Sequence, residues 1–183
     1  ASDKVYDGNT TAAITLSSYK LSGDVVTINY AAANFNTAAV GTNKPVTVTG
    51  ISISGTDASN YTLASTTASA TANITKAVTS ISVVSNNNSS CFGSSTTFTA
   101  TISSSPSPAT GQVQFFDAAT LLATSAVSGN TATYTTTSLT VGSHSITVKY
   151  LGDDNFSSSP VSPGLSQTVN SIPTIATVTP ASR

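Results

Sequence analysis

Ile146-Thr147-Val148-Lys149-Tyr150 alternates apolar and polar side chains, the period of a β-strand with one face buried and the other in water. The same period recurs outward from it, in Val113-Gln114-Phe115, in Phe98-Thr99-Ala100-Thr101-Ile102, and in the neighbouring pair Val46-Thr47-Val48-Thr49 and Ile51-Ser52-Ile53-Ser54. Turn residues separate these runs at Gly8-Asn9, Ser22-Gly23-Asp24, Gly41-Thr42-Asn43, Ser128-Gly129-Asn130 and Gly152-Asp153-Asp154-Asn155. A spacing of about 8–12 residues is that of sandwiches and small barrels. Between Tyr30 and Val40 alanines cluster as in a helix, but Asn34, Asn36 and Thr37 interrupt them, and the stretch reads as irregular or extended. The expected fold class is all-β.

Composition agrees. Charged residues are 7% of the chain, and Glu, Met and Trp are absent, so the residues that build most helices are scarce. Ser and Thr make up about a third of the chain, yet the formal charge is only −1, and the pairing of low hydrophobicity with high charge that keeps chains disordered is missing. The prolines fall at punctuation points such as Pro106, Pro108, Pro160, Pro163 and Pro173, which sets the sequence apart from a mucin-like stalk. So small a net charge offers no field for nucleic acid or anionic lipid. No apolar run approaches the roughly 18–20 residues of a membrane span, and residues 1–20 lack the basic start and apolar stretch of a signal peptide. Neither nucleic-acid binding nor membrane insertion is expected, and any targeting signal is expected outside this stretch.

A chain of 183 residues suits two small domains. The boundary is expected near Lys76-Ala77-Val78, giving a first β module over 1–76, a second over 77–170, and a tail over 171–183 that is a linker or the first strand of a following module. A connection without Gly or Pro predicts an elongated, semi-rigid, end-to-end pair. Cys91 has no partner for an internal disulfide; it reads as a small apolar residue near a strand start, with a reactive or intermolecular thiol as the alternative.

Four ordered blocks mark the first module: Lys4-Val5-Tyr6-Asp7-Gly8-Asn9-Thr10-Thr11-Ala12, Ser22-Gly23-Asp24-Val25-Val26, Val40-Gly41, and Gly55-Thr56-Asp57-Ala58-Ser59-Asn60-Tyr61-Thr62-Leu63. Through them residues 3–76 resemble a YDG-type repeat domain of bacterial surface proteins. Residues 78–170 resemble a bacterial Ig-like repeat, through Thr97-Phe98-Thr99-Ala100-Thr101, Thr110-Gly111-Gln112-Val113-Gln114-Phe115-Phe116-Asp117, Leu139-Thr140-Val141-Gly142-Ser143-His144-Ser145-Ile146 and Tyr150-Leu151-Gly152-Asp153-Asp154-Asn155-Phe156. Ile172 to Ser182 looks like the opening strand of a third Ig-like module, of a kind found in large secreted proteins of Bacteroidetes. The second module is therefore expected to be an Ig-like β-sandwich, and the first a β-sandwich or a β-grasp-like sheet. These resemblances imply a secreted or cell-surface setting, and they bring no catalytic residues with them.

The motif residues have ligand-free uses. Tyr6-Asp7-Gly8 suits a turn in which the Asp accepts backbone N–H groups and Gly takes φ > 0. Asp57 to Asn60 suits a second corner with Tyr61 plugging the core, and Asp153 to Phe156 a loop closed by a buried Phe. The metal alternative is calcium held by Asp153, Asp154 and Asn155, although the spacing lacks the EF-hand rhythm and its Glu. The aromatics left over as sugar platforms are Tyr19, Tyr134 and Phe92. Lys4, Lys20 and Lys76 are the lysines available for an internal amide crosslink. His144 lies in phase with Ile146 and Val148 at a strand start, no Gly-x-Ser-x-Gly elbow appears, and no zinc spacing or phosphate loop is present. Catalysis is not expected, and no cofactor is required.

Two functions remain. One is a non-catalytic spacer or stalk in a large extracellular adhesin or multimodular secreted enzyme, monomeric, with neighbouring modules of the same chain as its partners. The other is an adhesion module for surface glycan, polysaccharide or protein.

Overall fold

The alternating segments form strands in the structure, a computed structural model that describes residues 1–173. The strand expected in the 171–183 tail falls mostly outside the described residues. The chain divides into two units, the first comprising Ala1–Val78 with Ser104–Ser107 and Asp153–Ser157, and the second Thr79–Ser103, Pro108–Gly152 and the chain from Ser158 onward.

In the first unit the strands are β1 (Lys4–Val5), β2 (Thr27–Asn29), β3 (Ala32–Phe35), β4 (Gly41–Thr49), β5 (Ser52–Ser54) and β6 (Thr67–Thr75). One sheet runs β1-β6-β4-β3, with β1 parallel to β6 and the other pairs antiparallel, and β2 pairs with β5 in a separate two-stranded sheet. The period-two pattern places Val46, Val48 and Ile74 on the inner face, where they meet Phe35, Ala12, Ala33, Ile51 and Ala72. Ile14, Leu16, Ile28 and Leu63 lie half-buried against this cluster. The stretch that reads as irregular or extended, between Tyr30 and Val40, contains β3: Ala33 and Phe35 point inward and Asn34 outward, which is a strand's alternation hidden by small residues. Among the described residues the only helical turn is the 3-10 turn Ala58–Asn60. A β-grasp needs a helix across its sheet, so the two-sheet alternative describes this unit.

The second unit contains β7 (Ser80–Ser85), β8 (Ser89–Cys91), β9 (Thr96–Ser103), β10 (Gln112–Asp117), β11 (Thr120–Ala126), β12 (Thr131–Thr136), β13 (Gly142–Tyr150) and β14 (Leu165–Asn170). They form a three-stranded sheet β12-β9-β7 and a five-stranded sheet β11-β10-β13-β14-β8. Register keeps the inward residues together, with Val113 opposite Tyr150 and Phe115 opposite Val148. Phe98, Phe115, Ile146, Val148 and Tyr150 are fully buried. Each such side chain contributes about 1.5–3 kcal/mol by leaving water, which is how this sandwich does without a disulfide. Gln167 on β14 is buried among them and donates from Nε2 to Asn87 O at 2.8 Å, holding the chain just before β8 against β14.

Candidate functional site

Lys4 on β1 directs its ammonium at the loop that follows. Its N–H groups are shared among four oxygens, Asp7 Oδ1 and Asn9 O at 2.8 Å and Asn9 Oδ1 and Thr11 O at 3.0 Å. The loop can present them because Asp7 Oδ1 accepts Asn9 N at 3.1 Å, Asn9 Oδ1 accepts Thr11 N at 2.9 Å, and Gly8 takes φ +76°. The Phe35 ring lies 5.5 Å from the ammonium. The hydrogen bond from Lys4 holds the Asp7 carboxyl below the ordinary carboxylate range. A loop of converging oxygens is the usual cradle of a bound cation, and here the chain's own lysine fills it. An ionised carboxylate beside a charged amine is a poor arrangement for amide crosslinking, which needs an uncharged amine as nucleophile.

A second corner joins residues distant in sequence. Tyr61 Oη donates to Asp24 Oδ2 at 2.6 Å and accepts from Leu21 N at 2.8 Å, and the Asp24 contact raises the phenol's pKa. Asp57 Oδ2 accepts Val25 N at 2.8 Å. At Gly55 a Cβ would lie 2.2 Å from Val25 O, and its φ is +123°, so the corner closes only over glycine. The sequence reading has Tyr61 plugging the core; instead it is half-exposed, because its hydroxyl is drawn to Asp24 at the rim.

The calcium candidates belong to a third such loop. Asp153 Oδ1 accepts Asn155 N at 2.9 Å and Phe156 N at 2.8 Å, its carbonyl accepts from Lys76 Nζ, and Phe156 is buried behind it. Asp154 is exposed. No group of three His, Cys, Asp or Glu suited to a metal ion occurs among the described residues. His144 donates from one ring nitrogen to Thr140 O at 2.9 Å and from the other to Asp117 Oδ2 at 2.6 Å, an arrangement satisfied in full only by the imidazolium. The Thr140 carbonyl first, and then Asp117, raise its pKa.

The three aromatic candidates go to different places. Tyr134 packs between the sheets of the second unit, 6.4 Å from Phe98 and 5.8 Å from Phe115, so it serves the core. Phe92 is exposed just after β8, beside the exposed Cys91. Tyr19 stands fully exposed at the mouth of a cleft of about 430 Å³ in the first unit. Leu16 to Lys20 form one wall of that cleft, Tyr61 to Ser65 another, and Val26, Ile28, Ile51 and Ile53 its apolar floor. Sequence reasoning singled out Tyr19 but missed the cleft. The signal it had was the alternation Ala12, Ile14, Leu16, which runs on past the contact of Ala12 with β3 into a segment without a partner strand among the described residues.

The fibronectin(III)-like modules of Clostridium thermocellum CbhA resemble the chain at 17% identity and a TM-score of 0.41, over 51% of this chain and 100% of that one. No curated protein matches it. Residues 1–70 match the YDG domain, and residues 82–170 match the bacterial Ig-like domain (group 3). The chain thus carries a YDG domain followed by a bacterial Ig-like domain of group 3.

Proposed function

We propose that this two-module chain is a non-catalytic spacer of a large extracellular protein, holding an adhesive or catalytic domain away from the surface to which it is anchored. Ig-like modules fit a structural or adhesive role and are usually non-catalytic. The observation that supports the spacer reading is the use made of polar side chains in the signature blocks: Lys4, Asp7, Asn9, Asp24, Asp57, Asp117 and Asp153 all hydrogen-bond within their own unit. Side chains that close loops in this way are not available to a ligand without breaking the loop. A surface rich in Ser and Thr keeps such modules hydrated with little charge.

A glycan-binding role would rest on Tyr19, the one fully exposed aromatic candidate. Pull-down of the purified chain on chitin, cellulose, alginate and peptidoglycan, with calcium or with chelator, separates the two. The spacer reading expects no retention on any of them. Saturable retention abolished by Tyr19→Ala overturns it.

A further inference from the structure

We propose that the cleft of the YDG module receives an extended peptide that adds to its walls as a β-strand. The two walls, Leu16–Lys20 and Tyr61–Ser65, lie outside every strand. Along Ile14–Lys20 and Thr62–Ala64 no backbone N–H or C=O is hydrogen-bonded to any described residue. Parts of them alternate as strands do, with Ile14 and Leu16 half-buried on either side of exposed Thr15, and Leu63 half-buried between exposed Thr62 and Ala64, while Ser17 to Lys20 are all exposed. Backbone left unpaired in this way offers N–H and C=O groups that an extended polypeptide can complete, as it does at the edge of a sheet. The floor of Val26, Ile28, Ile51 and Ile53 suits apolar side chains on alternate residues of the incoming strand.

Charge narrows the occupant. Lys20 is the only charged side chain lining the cleft, and its ammonium bonds the Asp24 carbonyl at 2.8 Å with no carboxylate on it. The peptide that fits carries an Asp, a Glu or a terminal carboxylate at the Lys20 end. A sugar fits less well, because the lining contains no carboxylate or amide side chain to grip vicinal hydroxyls. The volume of about 430 Å³ lies within the range of about 300–1,000 Å³ for ligand clefts.

The test is selection of a displayed random heptapeptide library on the intact chain, followed by binding of the enriched peptide in solution and amide exchange by NMR. The expected result is an enriched pattern of alternating apolar residues with an acidic residue at one end. Its binding should weaken at least tenfold on backbone N-methylation of the peptide and about threefold for Lys20→Gln at low salt, the size expected of an exposed ion pair. Amides within Ile14–Lys20 or Thr62–Ala64 should gain protection. Leu16→Asp should abolish binding; because it also touches the core, Tyr19→Ala, altering a fully exposed ring, is the companion variant and should weaken binding with an unchanged melting temperature. The proposal is overturned if no sequence is enriched, if N-methylation has no effect, or if protection appears elsewhere. It is equally overturned if the cleft amides are protected by chitohexaose and not by peptide, or by self-association of the chain alone.

Discussion

Lys4 Nζ and Asp7 Oδ1 lie 2.8 Å apart, and the same ammonium reaches three further oxygens of the Asp7–Thr11 loop, so a tethered cation organises the turn after which the YDG block is named. Lys4→Met leaves those oxygens without a partner while keeping the aliphatic stem. The first unit should lose about 1–3 kcal/mol, read from the urea midpoint, as expected when charged hydrogen bonds go unreplaced. Millimolar calcium should raise the melting temperature of the variant and leave the parent chain unchanged.

The same pair sets an acid limit. Lys4 depresses the Asp7 pKa, so its contribution is fully present above the ordinary carboxylate value and is lost as pH falls through the lower folded value. Melting of the first unit should decline below about pH 4, close to the ordinary Asp value, and Asp7→Asn should flatten that decline.

His144 gives the second unit the opposite dependence. Its folded pKa is raised, first by the Thr140 carbonyl and then by Asp117, so the imidazolium contributes fully below an ordinary value of about 6.5 and ceases to contribute as pH rises through the folded value. Melting of the second unit should fall across that window, and His144→Gln should remove the dependence. Asp117→Asn should lower the His144 pKa in an NMR titration only in part, because the Thr140 contact remains.

Two glycines with φ > 0 separate steric from conformational effects. At Gly23, φ +100°, a Cβ meets nothing within 4 Å, so Gly23→Ala should cost about 1–2 kcal/mol, the penalty of a left-handed backbone. At Gly55 the added Cβ also collides with Val25 O at 2.2 Å, so Gly55→Ala should cost more and should shift the Val25 and Asp57 amides in an NMR spectrum.

Alternation located β4, β9, β10 and β13 because burying one strand face leaves a local, period-two trace in the sequence, as in Val46 and Val48 or Ile146 and Val148. It left β3 within a stretch read only as irregular or extended, because Ala33 is too small to stand out beside Asn34. Turn chemistry at Asp7 and Asp153 was equally local: each carboxylate accepts N–H groups only two or three residues on. What stayed hidden was long-range. The pull of Asp24 on Tyr61 spans 37 residues, and Tyr134, read as a spare ligand aromatic, owes its place to Phe115 on the facing sheet. The cleft is hidden for the same reason, since Ile14 and Leu16 continue a strand's pattern past Ala12, the last residue bonded to β3, and only the fold reveals that no described strand pairs with them.

The central claim is that the signature side chains hold loops rather than ligands. Its most direct test is an amide-resolved NMR titration of the chain with chitohexaose, cellohexaose, alginate oligomers and muropeptides, in calcium and in chelator. The account predicts no saturable shift at Lys4–Thr11, Asp57–Tyr61 or Asp153–Phe156 under either condition. A saturable shift at any of these blocks, and above all one that requires calcium, would contradict it.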